Sequence, residues 1–282
     1  MKKSAMNRNV MKKMLLAILV LLPGFAFAAG GETPIELDAM EPNLEDQASL
    51  QRGAKTYLNY CMACHSLKYQ RYQRTADDLG IPVDLMMEHM VFDSSAQIGS
   101  LMDNAMSVDH AKQWFGSVPP DLTMYTMLKG GPEYLYTYMR VFYEDKTRPF
   151  GVNNLLFENV GMPHPLIELQ GLQRKVCKQI PRLAENGGEM RDSLTGDPIT
   201  EEQCGNDLLD RGFSPLELVE GTGSLTPEEY DQVIYDLANF LYYTVDPSRL
   251  DRERIGIYVL LFLAFFFVFT WLLGREYTKE FH

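Results

Sequence analysis

An all-α fold with a single C-terminal transmembrane helix is what this 282-residue sequence predicts. Three observations carry that expectation. Apolar residues recur at helical spacing over residues 46–60, a capped amphipathic segment begins at Thr226, and an uncharged apolar run fills Ile255 to Leu273.

The N-terminal end comes first. The first 28 residues contain five bases (Lys2, Lys3, Arg8, Lys12, Lys13) and no acid, and an apolar run from Met14 to Phe27 ends in Ala26-Phe27-Ala28. That pattern predicts a secretory signal peptide over 1–28, cleaved after an A-x-A site. Export places residues 29–248 in an oxidising compartment, where disulfides persist. The whole chain has 26 Lys+Arg against 38 Asp+Glu; without the signal it has 21 against 38, a net charge of −17. Such a surface disfavours nucleic acid and attracts a basic partner. At 46% hydrophobic residues the remainder supplies one or two domains with a sizeable core.

After a Gly-, Pro- and acid-rich arm over 30–46, Leu50, Ala54, Tyr57, Leu58 and Cys61 fall at spacings of three and four. This predicts a helix, with Gly53 marking a close approach by a second helix. The helix runs into Cys61-Met62-Ala63-Cys64-His65. C-x-x-C-H is the attachment pattern of a c-type haem. The two thiols each add across one vinyl group of the porphyrin, and the next residue offers an imidazole nitrogen to the iron. A thioredoxin-like motif would need a βαβ context, and a zinc half-site would need a second ligand pair, whereas Cys177 and Cys204 are isolated.

Residues 66–118 are mixed; Leu85–Phe92 and Ala96–Met106 read as short helices, and His89 and His110 read as surface or core residues. Trp114-Phe115-Gly116 and Pro119-Pro120-Asp121-Leu122 predict a rigid turn in which Asp121 caps the segment that follows. Residues 132–144 read as an aromatic helix whose stripe packs on a porphyrin face or in a plain core. A polar turn, Arg148-Pro149…Asn153-Asn154, leads to Gly161-Met162-Pro163-His164-Pro165. A six-coordinate haem needs a second axial ligand, and two candidates stand here. Met162 follows Gly161, which permits close approach, in a loop that Pro163 and Pro165 stiffen, and His164 is its nearest rival.

Cys177 and Cys204 remain for a disulfide across a polar, Gly-rich loop. Thr226 and Glu229 form a capping box with Pro227 at the first helical position, and the helix that follows is the expected partner of the one around Gly53. The nineteen residues Ile255–Leu273 span about 28 Å as a helix, enough to cross a bilayer. Arginines flank both ends, so translocation history sets the orientation: an exported chain with one stop-transfer helix leaves residues 274–282 in the cytoplasm.

These motifs, in this order, resemble cytochrome c1, the c-haem subunit of the ubiquinol–cytochrome c oxidoreductase (cytochrome bc1) family, in its bacterial form, from about residue 35 to the end. The resemblance implies a cytochrome c-like haem domain on one membrane anchor, with a single covalent haem c. It implies His65 and Met162 as the axial ligands. It further implies electron transfer from a Rieske iron–sulfur protein to a cytochrome c, in a dimeric complex with cytochrome b at the bacterial inner membrane. An anchored monohaem cytochrome serving another oxidase or dehydrogenase is the alternative. One departure stands out: where similar sequences carry an arginine that pairs with a haem propionate, this chain reads Met124-Tyr125-Thr126-Met127-Leu128-Lys129. Lys129 is a point charge without the planar guanidinium fork. The Cys177–Cys204 loop is not a general feature of the family.

Overall fold

A computed structural model describes residues 33–184, 187–209 and 211–279. The expected signal peptide, 1–28, lies outside the described residues.

Helix α1 (Gln47–Thr56) starts where Asp46 accepts a hydrogen bond from the Ser49 amide at 2.9 Å. It widens into a π-helical turn over Tyr57–Cys61, closed by the Met62 amide donating to the Tyr57 carbonyl at 2.9 Å. Such a turn shifts the helical phase, and π-turns recur at functional sites. Helix α9 (Pro227–Val245) has the predicted capping box, with Thr226 and Glu229 each bonding the other's amide. The crossing of α1 and α9 is the most extensive helix–helix contact among the described residues. Gly53 makes it possible: a Cβ there would lie 2.7 Å from Phe240 Cβ and closer still to the Asp236 carbonyl oxygen. Around the crossing, Leu50, Ala54, Tyr57 and Leu58 bury against Ile234, Leu237, Ala238 and Leu241. Asp236, buried there, accepts from Ser49 Oγ at 2.7 Å, Arg52 Nε at 2.6 Å and Gln232 Nε2 at 3.0 Å.

The domain is not all-α. Among the described residues, four two-stranded antiparallel sheets accompany the helices: β1 (Leu67–Arg71) with β2 (Leu101–Met102), β3 (Phe142–Glu144) with β4 (Val152–Asn154), β5 (Gln173–Lys175) with β8 (Leu216–Leu218), and β6 (Cys177–Pro181) with β7 (Thr200–Cys204). Strands this short carry almost no period-two signal, because alternation over two to five residues is indistinguishable from loop. The aromatic stretch 132–144 therefore divides. Helix α6 (Pro132–Arg140) ends with no glycine or proline to mark it, and Phe142 enters β3 opposite Asn154. The helix expected over 96–106 is absent; that stretch turns and then pairs as β2. Before it, Asp93 Oδ1 takes both the amide and the hydroxyl of Ser95, a local bond that competes with helix.

The other helices among the described residues are α2 (Tyr72–Leu79), α3 (Val83–His89), α4 (Val108–Phe115), α5 (Tyr125–Leu128), α7 (Ile167–Gln170) and α8 (Asn206–Leu209). Helix α3 overlaps the short helix expected over 85–92, whereas α4, capped by Ser107, falls where no helix is expected. The acidic arm packs rather than trails. Ile35 and Met40 are buried, and Tyr235 and Asn239 of α9 bond the carbonyls of Glu41 and Asn43. Arg140 closes the arm onto the core through Asp38 and Asp231, each at 2.6 Å.

Helix α10 (Arg249–Lys279) contains the predicted span, and its apolar side chains over 255–273 are all exposed. It is long and apolar enough to cross a membrane.

Candidate haem-binding site

The π-helical turn delivers Cys61 to the wall of a cavity of about 430 Å³. The chain then folds back tightly, with the Cys64 and His65 amides both donating to the Cys61 carbonyl, at 3.1 and 2.9 Å. Cys61, Cys64 and His65 thus share one wall. Burial pushes the Cys61 thiol up to about 12, with Cys64 adding to the effect, and burial raises Cys64 as well. Thiolate-based redox or metal sites need the opposite, an environment that lowers the thiol.

His65 is held from two directions. Its Nδ1 lies 2.7 Å from the Pro120 carbonyl oxygen, which can only accept, so Nδ1 carries the proton and Nε2 keeps its lone pair. Tyr57 donates its hydroxyl to the His65 carbonyl at 2.7 Å. Burial lowers the imidazole's affinity for a second proton, partly offset by the bond to Pro120 and the charge of Asp121. Asp121 does not cap a helix as expected. Its two oxygens accept from the Lys68 amide (2.7 Å) and the Thr123 amide (3.0 Å), pinning the Pro119–Leu122 segment and with it the Pro120 carbonyl.

Val160, Gly161, Met162 and Pro163 line the same cavity. Their loop is braced from below. Arg148 donates to the carbonyls of Asn159 (2.8 Å) and Val160 (3.2 Å), and Asn153 Oδ1 accepts from the Asn159 amide at 2.9 Å. Asn159 adopts a left-handed φ of 61°, which asparagine tolerates better than most residues. In the sequence Arg148…Asn153-Asn154 reads only as a polar turn. The signal for more was there: a guanidinium and two side-chain amides just ahead of a loop that must be held.

His164 behaves differently from its neighbour. It is buried outside the cavity lining, stacked on Phe142 with centroids 4.6 Å apart, its Nε2 2.7 Å from Gln170 Oε1. Burial pushes it down to about 4. His89 is exposed, and His110 stacks on Trp114; neither lines the cavity. Leu135, Tyr138 and Met139 of α6 do line it, with Phe115, Tyr125, Leu237 and Leu241, so the aromatic helix serves cavity and core together. Lys129 contributes the one Lys, Arg, Asp or Glu side chain of the lining.

These residues fit a haem. Two thiols and an imidazole stand on one wall, a thioether lines the same apolar space, and one cation is available to carboxylates. The model of the Cytochrome C1 family matches residues 42–207. The chain belongs to the cytochrome c1 family. It is 45% identical to cytochrome c1 of Allochromatium vinosum over 274 residues, covering 96% of this chain and 100% of that one. It is 34% identical to a protein of Nitrosomonas europaea named ammonia monooxygenase gamma subunit, covering 96% and 99%, and 24% identical to cytochrome c1 of Rhodobacter capsulatus, covering 94% and 96%. As a member of the cytochrome c1 family the chain is an electron-transfer subunit of the bc1 complex with one covalently bound haem c.

The two cysteines outside the C-x-x-C-H motif lie elsewhere. Cys177 and Cys204 are joined in a disulfide at directly opposed positions of β6 and β7, their Cα atoms 4.2 Å apart, and neither lines the cavity.

Proposed function

We propose that the chain accepts an electron from the Rieske iron–sulfur protein and passes it to a cytochrome c. In this reading Cys61 and Cys64 would hold the haem covalently, and His65 and Met162 would be the ligands of its iron. The observation that carries it is the placement of all four side chains around a single apolar cavity. When bound, the haem supplies a one-electron couple.

The protein does the rest. Pro120 and Tyr57 keep Nε2 of His65 directed inward, and the braced 159–162 loop presents a thioether, which favours the reduced state. The apolar walls exclude water and further disfavour the more charged oxidised form. The net charge of −17 steers a basic acceptor. No chemical step is assigned to the chain alone; it is a redox carrier within the oxidoreductase.

The chain sits against cytochrome b in a dimeric complex at the bacterial inner membrane. Signal 1–28 is removed, the haem domain lies in the periplasm, α10 crosses the bilayer and 274–282 reach the cytoplasm. The similarity to a subunit named for ammonia monooxygenase favours one second reading, an anchored monohaem cytochrome serving a different oxidase. Purification of the native complex through this chain separates the two. Co-purifying b-type haem and a Rieske cluster are expected; a complex with neither would replace the first reading by the second.

A further inference from the structure

The braces on the 159–164 loop act on its backbone and on His164, and none reaches the sulfur of Met162. A methionine side chain has three rotatable bonds, so fixing the loop leaves the thioether free to turn. One contact addresses the sulfur itself. The hydroxyl of Tyr138 lies 3.9 Å from Met162 Sδ, and among the described residues that sulfur is its one hydrogen-bond partner. A thioether has no proton, so the hydroxyl donates.

Tyr138 is itself well held. It is buried on α6, its ring stacked on Tyr134 with centroids 6.1 Å apart and set edge-on to Phe142 at 5.2 Å. Its carbonyl accepts from Asn154 Nδ2 at 2.8 Å, tying the helix to the β4 end of the Met162 loop. A fixed donor therefore meets a sulfur whose neighbours leave it otherwise undirected.

Resting on the reading of Met162 as an axial ligand, we propose that Tyr138 is a positioning residue which orients the Met162 thioether and weakens its donation to iron. A hydrogen bond to sulfur draws electron density away from it. The ferric ion gains more from a strong donor than the ferrous ion does, so the weakened donor favours the reduced state and raises the potential.

The test uses the full chain in membranes of a host that attaches haem c, comparing the parent with Tyr138→Phe and Tyr134→Phe. Redox titration and the far-red thioether-to-iron band of the ferric protein are read in each. Tyr138→Phe is expected to keep the band at a shifted position. Its equilibrium constant for reduction should fall about threefold to tenfold, tenfold being ~59 mV for a one-electron couple. Tyr134→Phe should match the parent. A Tyr138→Phe protein with the parent's midpoint and band position overturns the proposal. A parent with no far-red band overturns the Met162 assignment instead, and the proposal falls with it. If Tyr138→Phe fails to mature, proton NMR of the ferrous parent decides: a slowly exchanging Tyr138 hydroxyl with a cross-peak to the Met162 methyl supports the bond, and its absence refutes it.

Discussion

The carbonyl oxygen of Pro120 stands 2.7 Å from Nδ1 of His65, fifty-five residues away in the chain. That contact selects the imidazole tautomer, and so decides that Nε2 is the nitrogen free to bind a metal. It joins a motif recognisable from five consecutive residues to a proline turn whose purpose no local pattern reveals.

In the lining of the same cavity the expected ligand is Met162. Met162→Leu preserves volume and polarity well enough to spare the fold. The variant is expected to keep its haem, since Cys61, Cys64 and His65 are untouched. It should lose the far-red ferric band, bind carbon monoxide when reduced, and fall in potential by more than the ~59 mV of a tenfold change. Optical redox titration with and without carbon monoxide reads all three, and an unchanged low-spin spectrum would end the assignment.

Gly53→Ala tests the helix crossing. The added methyl meets backbone at Asp236 and the Cβ of Phe240, neither of which can swing aside. Overpacking of this kind costs about 1–3 kcal/mol, while alanine returns only about 1 kcal/mol of helix propensity. A net loss of up to about 2 kcal/mol is expected in denaturant titration of the purified chain. A variant more stable than the parent would show that α1 and α9 can separate freely.

The disulfide should matter for stability and not for the haem. Replacing both Cys177 and Cys204 by serine removes the closure of a 27-residue separation, about 3–4 kcal/mol on the chain-entropy account. Midpoint potential and far-red band should match the parent, because neither cysteine lines the cavity. A shifted midpoint would instead couple the β6–β7 hairpin to the electron-transfer site.

Acid should reach the braces of the Met162 loop through Asp145. Asp145 is held below the ordinary carboxylate value of 3.8 by the Thr147 hydroxyl, then the Asn153 amide, then the Thr147 backbone N–H. Asn153 in turn holds Asn159. Because the folded value is the lower one, the contribution of Asp145 is complete above about pH 4 and is lost as pH falls through that lower value. Acid titration of the far-red band should therefore be shallower below about pH 4 in Asp145→Asn than in the parent. Parallel curves would remove Asp145 from the account.

How much of this was legible beforehand follows the range of the forces involved. The capping box of Thr226 and Glu229, the glycine at the helix crossing and the apolar span 255–273 were all readable. Each is a local signal: a bond across three residues, a missing side chain, a long uncharged run. The division of 132–144 into α6 and β3 was not readable, because Phe142 leaves the helix to pair with Asn154 and the sequence carries no stop signal there. The two-stranded sheets were missed for the same reason: pairing partners lie outside any local window.

By itself, then, the sequence determined the chemistry that covalent spacing imposes, Cys61 and Cys64 with His65 beside them, and the anchor that its hydrophobicity imposes. Residue by residue it left Met162 and His164 as rivals two residues apart, and the family resemblance implied Met162. Only the tertiary structure decided their surroundings, setting Met162 in the lining of the cavity and burying His164 against Phe142 and Gln170. The physical reason is that side-chain direction is fixed by packing against distant elements, and two residues in one loop can face opposite ways at no cost that their own sequence records.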